Sequence, residues 1–291
     1  MHGELKVNVL QLVFASYKLF FSFIVVVEKT KNMTKHWSKL VAVIVLVVLL
    51  VLAIHLWNSD KGVYTVKDTD GVVYQMSGQE NTANDKVSAP LLVGKLWEEY
   101  MHPLFKKYAS TTQPGIVLDI GANIGVHTVF LGRFKETWSF EPQHKTFKIL
   151  EGNAKRNNKG NTIRCFNFGL SDTETSVVMD VPDKNNVGAT SIKKDQTTIT
   201  GQNEKISLRR FDDLWTENGK PRVLMIKIDI EGHEVQAFKG AKEMITRDLP
   251  VILFEDNDGM NGPAVTYMKT LGYTVTEVRP GEGHDYLAEW K

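Results

Sequence analysis

Ile116-Val117-Leu118-Asp119-Ile120-Gly121-Ala122-Asn123-Ile124-Gly125-Val126-His127-Thr128-Val129-Phe130-Leu131 reads as a buried strand, a glycine turn and a helix. The strand is a β-branched run that begins just after Pro114-Gly115, a turn signal. Gly121 and Gly125 let the backbone turn tightly and bring N–H groups close to a ligand. From Val126 onward, Val129, Phe130 and Leu131 suit a helix packed back on a sheet.

Asp119 ends this strand two residues before the first glycine, giving D-x-G-x-N-x-G where a dinucleotide turn has G-x-G-x-x-G. An acid there would repel a pyrophosphate, which argues against a nicotinamide oxidoreductase. It suits a cationic ligand such as S-adenosylmethionine, which carries an ammonium and a sulfonium. About 20 residues on, a ribose-binding acid is expected, and Glu141 stands there, closing a second strand, Thr137-Trp138-Ser139-Phe140.

Four motifs now stand together: VLDIGANIGVHTVFLG; SFEP; GLSD at Gly169 to Asp172; and KIDIEGHEVQAFKGA at Lys227 to Ala241. Over roughly residues 114–256 the chain resembles the FkbM-type methyltransferases. The resemblance implies a class I, Rossmann-like α/β fold, S-adenosylmethionine as cofactor, and O-methylation of a hydroxyl, often on a sugar or polyketide.

The 291 residues allow one substantial domain with additions, and a net charge of +1 gives no footprint for nucleic acid. Cys165 is the only cysteine, so no intramolecular disulfide forms; a small core residue is its expected role. Leu40 to Trp57 is almost continuously apolar. At about 1.5 Å per residue it nearly spans a hydrocarbon core of about 30 Å. Trp37 and Trp57 stand at its ends, and Lys29, Lys31, Lys35 and Lys39 precede it. The expectation is a signal-anchor over 40–57, with residues 1–39 holding a basic cytoplasmic stretch and the catalytic domain on the lumenal or extracytoplasmic side. A weaker apolar stretch, Leu5 to Val27, reads as a second span, an interfacial helix, or an upstream extension if Met33 is the start.

Residues 58–110 are expected to form a stalk, a hairpin around Asp68-Thr69-Asp70-Gly71, a flexible polar loop from Ser77 to Ser88, and a covering helix. That helix is read from Leu91, Leu92, Leu96, Trp97, Tyr100, Met101, Leu104 and Phe105, with Pro103 kinking or splitting it and the aromatics in the core. Residues 111–291 alternate strand and helix, predicting a mostly parallel sheet with helices on both faces. Strand three is expected over Thr162–Phe168, and the polar run 182–204 as a lid or a solvated hairpin.

Open sheets of this kind bind ligands beyond the carboxyl ends of their strands. The Gly121–Gly125 backbone is assigned to the methionine portion of the cofactor, Asp119 to its ammonium directly or through water, Asn123 to its carboxylate and Glu141 to its ribose. Asn167 and Asp172 are the polar candidates near adenine. An aliphatic hydroxyl is a poor acid, so methyl transfer calls for a base. His233 is the first candidate, with Asp229 and Glu231 as alternatives. Carboxylates here, with Asp256 and Asp258, raise the possibility of magnesium, which is not favoured because nothing in the sequence shows that they converge. His127 reads as structural, His102 and His144 stand without a constellation, and the Lys193-Lys194 and Arg209-Arg210 pairs as solvated faces. The leading function is a membrane-anchored O-methyltransferase acting on a glycan or glycolipid hydroxyl. The alternative is a non-catalytic, S-adenosylmethionine-binding interaction module tethered to the membrane.

Overall fold

The computed structural model describes residues 62–80, 82–181, 191–192, 202–281 and 283–290, together with position 45. The chain divides between Lys61 and Gly62, and the second unit holds all the other described residues. Apart from position 45, the expected anchor at 40–57 and the stretch 5–27 lie outside the described residues; among those described, no helix is long and apolar enough to cross a membrane.

A seven-stranded sheet forms the centre. In chain order its strands are β3 (Ile116–Ile120), β4 (Glu136–Phe140), β5 (Ile163–Phe166), β10 (Val223–Ile228), β11 (Val251–Glu255), β12 (Tyr273–Glu277) and β13 (Asp285–Trp290). The spatial order is β12-β13-β11-β10-β3-β4-β5, and only β13 runs antiparallel to its neighbours. From β3 the chain builds outward through β4 and β5, then returns to lay β10 and β11 on the other side. The strand order therefore reverses between β3 and β10, which opens a crevice at their carboxyl ends. This is the class I methyltransferase-like α/β architecture, with a mixed sheet. Two smaller sheets accompany it. One is the hairpin β1 (Val63–Lys67) with β2 (Val73–Ser77); the other contains β6 (Gly169–Leu170), β7 (Thr175–Val181), β8 (Ser191–Ile192) and β9 (Gln202–Arg209).

Strand alternation sorts the core. Leu118, Ile120, Ile226, Ile228 and Phe254 face one way, into a core with Trp138, Phe140, Phe211, Trp215, Phe238 and Met244. That face receives α4 (Phe211–Glu217), α5 (Glu234–Gly240), α6 (Lys242–Asp248) and α7 (Pro263–Thr270). Val117, Met225 and Leu253 face the other way, onto Phe105 of α1 (His102–Ala109) and Phe130 of α2 (Val126–Leu131). Beyond β4, α3 (His144–Arg156) meets the hairpin: Asn157 Oδ1 accepts from the Gln75 N–H at 2.8 Å, and Asn153 Oδ1 from the Ser77 N–H at 2.7 Å. Tyr74, Met76 and Val66 pack with Leu91, Ile124 and Val129 beneath it.

Three expectations need local correction. The described residues of the run from Ser77 to Ser88, all but position 81, are folded rather than loose, with polar groups that hydrogen-bond one another. Gln79 donates its N–H to Ser88 Oγ at 2.9 Å, and Ser88 donates its N–H to Asp85 Oδ1 at 2.8 Å. The apolar residues from Leu91 to Phe105 do not share one helix; they are divided among two 3-10 turns, Ala89–Val93 and Glu99–Met101, α1, and the connecting stretch that holds Leu96 and Trp97. Gly94 and Glu98 take left-handed backbone angles between them, and Pro103 opens α1, where its missing N–H costs nothing. Strand three spans Ile163–Phe166 rather than Thr162–Phe168, and Gly169–Leu170 forms a separate strand of the smaller sheet.

Candidate active site

Gly121 follows β3 with φ +76°, and a Cβ there would stand 1.9 Å from the Asp229 carbonyl oxygen. Only glycine lets the β3 turn lie so close to the end of β10. The turn is fastened to β4, since the N–H groups of Gly121 and Ala122 both donate to the Phe140 carbonyl, at 3.1 and 2.9 Å. Gly125 is the left-handed residue that opens α2. Around the turn lies a cavity lined by Gly121, Ala122, Asn123, Val126 and His127, by Glu141, Pro142 and Gln143, and by Lys227, Asp229, Glu231, His233 and Glu255.

The end of the cavity beside β4 combines one acid with an apolar slot. Glu141 is buried; its Oε2 accepts from the Asn123 N–H at 3.0 Å and its Oε1 from the Gln143 N–H at 2.8 Å. Burial pushes its carboxyl up to about 7, against the pull of those two backbone donors. Pro142, Leu170, Met179, Ile206 and Leu208 make the neighbouring wall. The buried Gln143 adds an Nε2 donor with no partner among the described residues.

Beyond β10 the cavity is acidic. Asp229, Glu231 and Glu255 each offer a carboxylate oxygen, all within 4.8 Å of one another. Burial, then Asp229 and Glu234, raises Glu231 to about 7; burial and Asp229 raise Glu255 to about 8. Lys227 is the buried cation facing them. Its Nζ lies 3.7 Å from Asp229 Oδ2 and 3.4 Å from the Gly121 carbonyl. Burial would lower this amine, yet Asp229, Asp119, Glu98 and Glu255 together hold it above the usual lysine value.

His233 lies just before α5, half-buried, with Nε2 3.0 Å from Ser171 Oγ. Ser171 Oγ is in turn 3.3 Å from Asp172 Oδ1. With Ser171 donating to Asp172, its oxygen accepts the His233 Nε2–H, and Nδ1 keeps a lone pair. Burial lowers the imidazole below its usual value, with Asp172 opposing.

The structure thus brings Gly121, Asn123, Glu141, Asp229, Glu231 and His233 to one cavity and leaves four assigned residues outside its lining. Gly125 shapes the turn from behind. Asp119 is fully buried, and Thr128 Oγ1 donates to its Oδ2 at 2.5 Å. It points to the α2 face because strand alternation sends it there with Val117, opposite Lys227 in register. Asn167 lies outside the lining, where its Nδ2 donates to the carbonyls of Glu141 and Pro142 at 2.9 and 3.0 Å, clasping that turn. Asp172 reaches the cavity only through Ser171 and His233. Asp256 is no companion to the acidic cluster either, since its Oδ2 caps α7 through the N–H groups of Ala264 and Val265. Glu234 binds its own loop, accepting from the N–H groups of Ile230 and Gly232.

Trp97, Glu98, His127, Gln143 and Lys227 line the cavity without having been assigned to it. A lysine inside the apolar run Val223-Leu224-Met225-Ile226-Lys227-Ile228 was a usable signal, because a buried strand cation needs a buried acid. Trp97 and Glu98 carried none, since their positions follow from the left-handed break at Glu98.

The model of the methyltransferase FkbM domain matches residues 119–275. Hexuronic acid methyltransferase AglP of Haloferax volcanii is 24% identical over 163 residues, 56% of this chain and 64% of that protein. Methyltransferase sdnD of Sordaria araneosa is 22% identical over 240 residues, 72% of this chain and 88% of its own. Among solved structures, methyltransferase FkbM from Methylobacillus flagellatus KT gives a TM-score of 0.44 at 20% identity, covering 61% of this chain and 44% of that one. The chain therefore spans less than two thirds of the length of AglP and of that solved protein. With the family model matched over more than half of its residues, the chain belongs to the FkbM methyltransferase domain family.

Proposed function

We propose that the chain is an S-adenosylmethionine-dependent O-methyltransferase acting on a hydroxyl of a glycan or glycolipid, tethered to a membrane through residues 40–57. The observation that carries the cofactor reading is Glu141. A buried acid at the end of β4, linked to the glycine turn through the Asn123 N–H and flanked by an apolar slot, suits a ribose with an adenine beside it. Its carboxylate retains lone pairs for two ribose hydroxyls. Pro142, Leu170, Met179, Ile206 and Leu208 offer the flat base an apolar enclosure, and Gln143 Nε2 a donor for it.

When bound, the cofactor supplies a methyl group already activated on a sulfonium. The residues of the chain must hold an acceptor oxygen in line with that carbon and take its proton. His233 Nδ1 suits the role of proton acceptor, because burial favours the neutral ring and the Ser171–Asp172 pair fixes which nitrogen keeps its lone pair. Asp229 and Glu231 surround the same end with negative charge, which favours a cationic centre there. Trp97 offers a sugar ring an apolar face at the cavity wall. The glycan reading draws on AglP, named for its action on hexuronic acid, and the membrane reading on the apolar run 40–57. The basic stretch before that run supports, by the positive-inside rule, a catalytic domain on the extracytoplasmic or lumenal side.

The test is transfer of label from methyl-tritiated S-adenosylmethionine by the full chain, in detergent, to extracted glycolipids and soluble glycans. Label in a base-stable glycan ether supports the reading. Label confined to methyl esters, or to protein or nucleic acid, removes it.

A further inference from the structure

Four large apolar side chains are exposed among the described residues, and three of them gather at the hairpin: Val73 at 41%, Leu92 at 49% and Val93 at 75%. Lys67 links them. It faces Val73 across β1 and β2, and its N–H donates to the Gly94 carbonyl at 3.1 Å, just after Val93. Local structure accounts for the outward placement. Val66, Tyr74 and Met76 alternate into the core beneath the hairpin, so Thr65, Lys67, Val73 and Gln75 take its outer face. The 3-10 turn Ala89–Val93 buries Leu91 in the same core and, at three residues per turn, leaves Leu92 and Val93 outside. Lys67 and Lys95 are exposed beside this patch. The acids of the hairpin turn are taken up by other cations, Asp68 by Arg133, and Asp70 by Arg133 and Lys106.

An apolar patch flanked by lysines fits a lipid surface, where the lysine stems lie along apolar area and the ammonium groups reach the headgroups. The length of chain before the hairpin points to the same occupant. Trp57 closes the apolar run and Val63 opens β1, and the segment between them, fully extended, reaches about 20 Å. If residues 40–57 span a bilayer with Trp57 at its interface, β1 starts within that reach of the headgroups. A bilayer is thus the partner that the sequence itself brings to the hairpin.

We propose that the outer face of the hairpin, with Leu92 and Val93, lies on the bilayer that holds the anchor, and that the acceptor is a glycolipid presented from that bilayer rather than a soluble glycan. This deepens the function proposed above and rests on its membrane reading. The patch and the cavity share one segment of chain. Lys86 and Val87 precede the Ala89–Val93 turn, Trp97 and Glu98 follow it, and all four line the cavity. A bilayer contact at Leu92 and Val93 therefore holds this wall of the cavity a few residues from the headgroups, where a lipid-borne sugar reaches it.

Fluorescence quenching of the full chain in phosphatidylcholine nanodiscs tests the placement. On a Cys165→Ala background, a bimane label is attached at Thr65→Cys on the outer face or, as the control, at Lys242→Cys, exposed on α6 across the central sheet from α2. Nitroxide-labelled lipid is the quencher, and a melting curve reports on folding. Quenching at position 65 should exceed that at 242 several-fold. It should fall to the control level when Leu92→Asn and Val93→Asn are added, while the label itself stays in place. Equal quenching at the two positions overturns the proposal. So does quenching that the Leu92 and Val93 variants leave unchanged, since the tether alone would then hold the face near the lipid. Energy transfer between labels on two chains, in place of lipid quenching, assigns the face to a second copy and also overturns it. With extracted glycolipids in the same nanodiscs, methyl transfer should exceed transfer to the glycans released from them by about tenfold or more, because a shared bilayer raises the effective concentration of the acceptor. Equal transfer to both overturns the choice of acceptor. Release of the chain from membranes by alkaline carbonate removes the membrane reading first and the proposal with it; an embedded chain with an unquenched label removes the proposal alone.

Discussion

Gly121→Ala separates backbone conformation from steric contact, because Gly232 provides a matched control. Both glycines have positive φ, +76° and +91°. A left-handed alanine costs roughly 1–2 kcal/mol at either position. At Gly232 a Cβ meets nothing within 4 Å, so that conformational term is the whole penalty. At Gly121 the Cβ would stand 1.9 Å from the Asp229 carbonyl oxygen and 2.9 Å from its carbon, both backbone atoms that no rotamer change can clear. The ends of β3 and β10 must separate, even though the Asp229 N–H donates to the Ile120 carbonyl at 3.1 Å right there. Overpacking of this kind adds roughly 1–3 kcal/mol. For a unit of this size that difference corresponds to a melting point several degrees lower than for Gly232→Ala, at roughly 2–4 °C per kcal/mol. Because the displaced atoms carry Asp229 and the turn, Gly121→Ala should also weaken S-adenosylmethionine at least tenfold, as measured by calorimetry on the folded variant. Equal melting points for the two variants, with equal cofactor affinity, would refute the reasoning.

Further outcomes follow from the same geometry. Glu141→Ala should weaken S-adenosylmethionine by about 1.5–3 kcal/mol, the worth of hydrogen bonds to a charged group, while leaving binding of free methionine, if measurable, unchanged. His233→Gln should lower methyl transfer by about 10²-fold or more with cofactor affinity within twofold of wild type, the pattern of a lost proton acceptor; a selective loss of cofactor affinity would place His233 elsewhere. Glu255, at about 8, holds a proton in the folded state that the unfolded chain releases near the ordinary value of 4.5. Its contribution to stability is therefore present at low pH, falls as pH rises from about 4.5 to 8, and is flat above that, opposite to a salt-bridged carboxylate. Thermal melts between pH 5 and 9 should show that slope reduced in Glu255→Gln. Chelation with EDTA should leave methyl transfer within twofold, since the base assigned here is a histidine. A transfer rate restored only by magnesium would instead assign Asp229, Glu231 and Glu255 to a cation.

Some of this was legible in the sequence for clear physical reasons. The β3–turn–α2 unit, Glu141 at the end of β4 and the Asp229–His233 stretch after β10 are local. Each joins an apolar run to a turn, so hydrophobic periodicity and glycine placement fix where the polar residue falls. The alternation of strand and helix along 111–291 likewise made the mostly parallel sheet legible. What escaped depends on contacts between distant segments. Asn167 sits near a strand end, as a ligand residue should, but two carbonyls on the Glu141–Pro142 turn claim its amide. Asp119 looks exposed to the ligand until alternation along β3 turns it inward to Thr128. Glu98 and Trp97 reach the cavity because the chain breaks into 3-10 turns between Leu91 and Met101, where helical spacing suggested one continuous helix. Spacing reports which residues share a face only after the element type is right.

The cofactor is identified by calorimetric titration of the full chain with S-adenosylmethionine and, separately, with NAD, repeated with Glu141→Ala. Micromolar binding of S-adenosylmethionine, weakened in the variant, is expected, with no measurable binding of NAD. Binding of NAD in preference to S-adenosylmethionine, or no S-adenosylmethionine binding by the folded protein, would contradict that expectation.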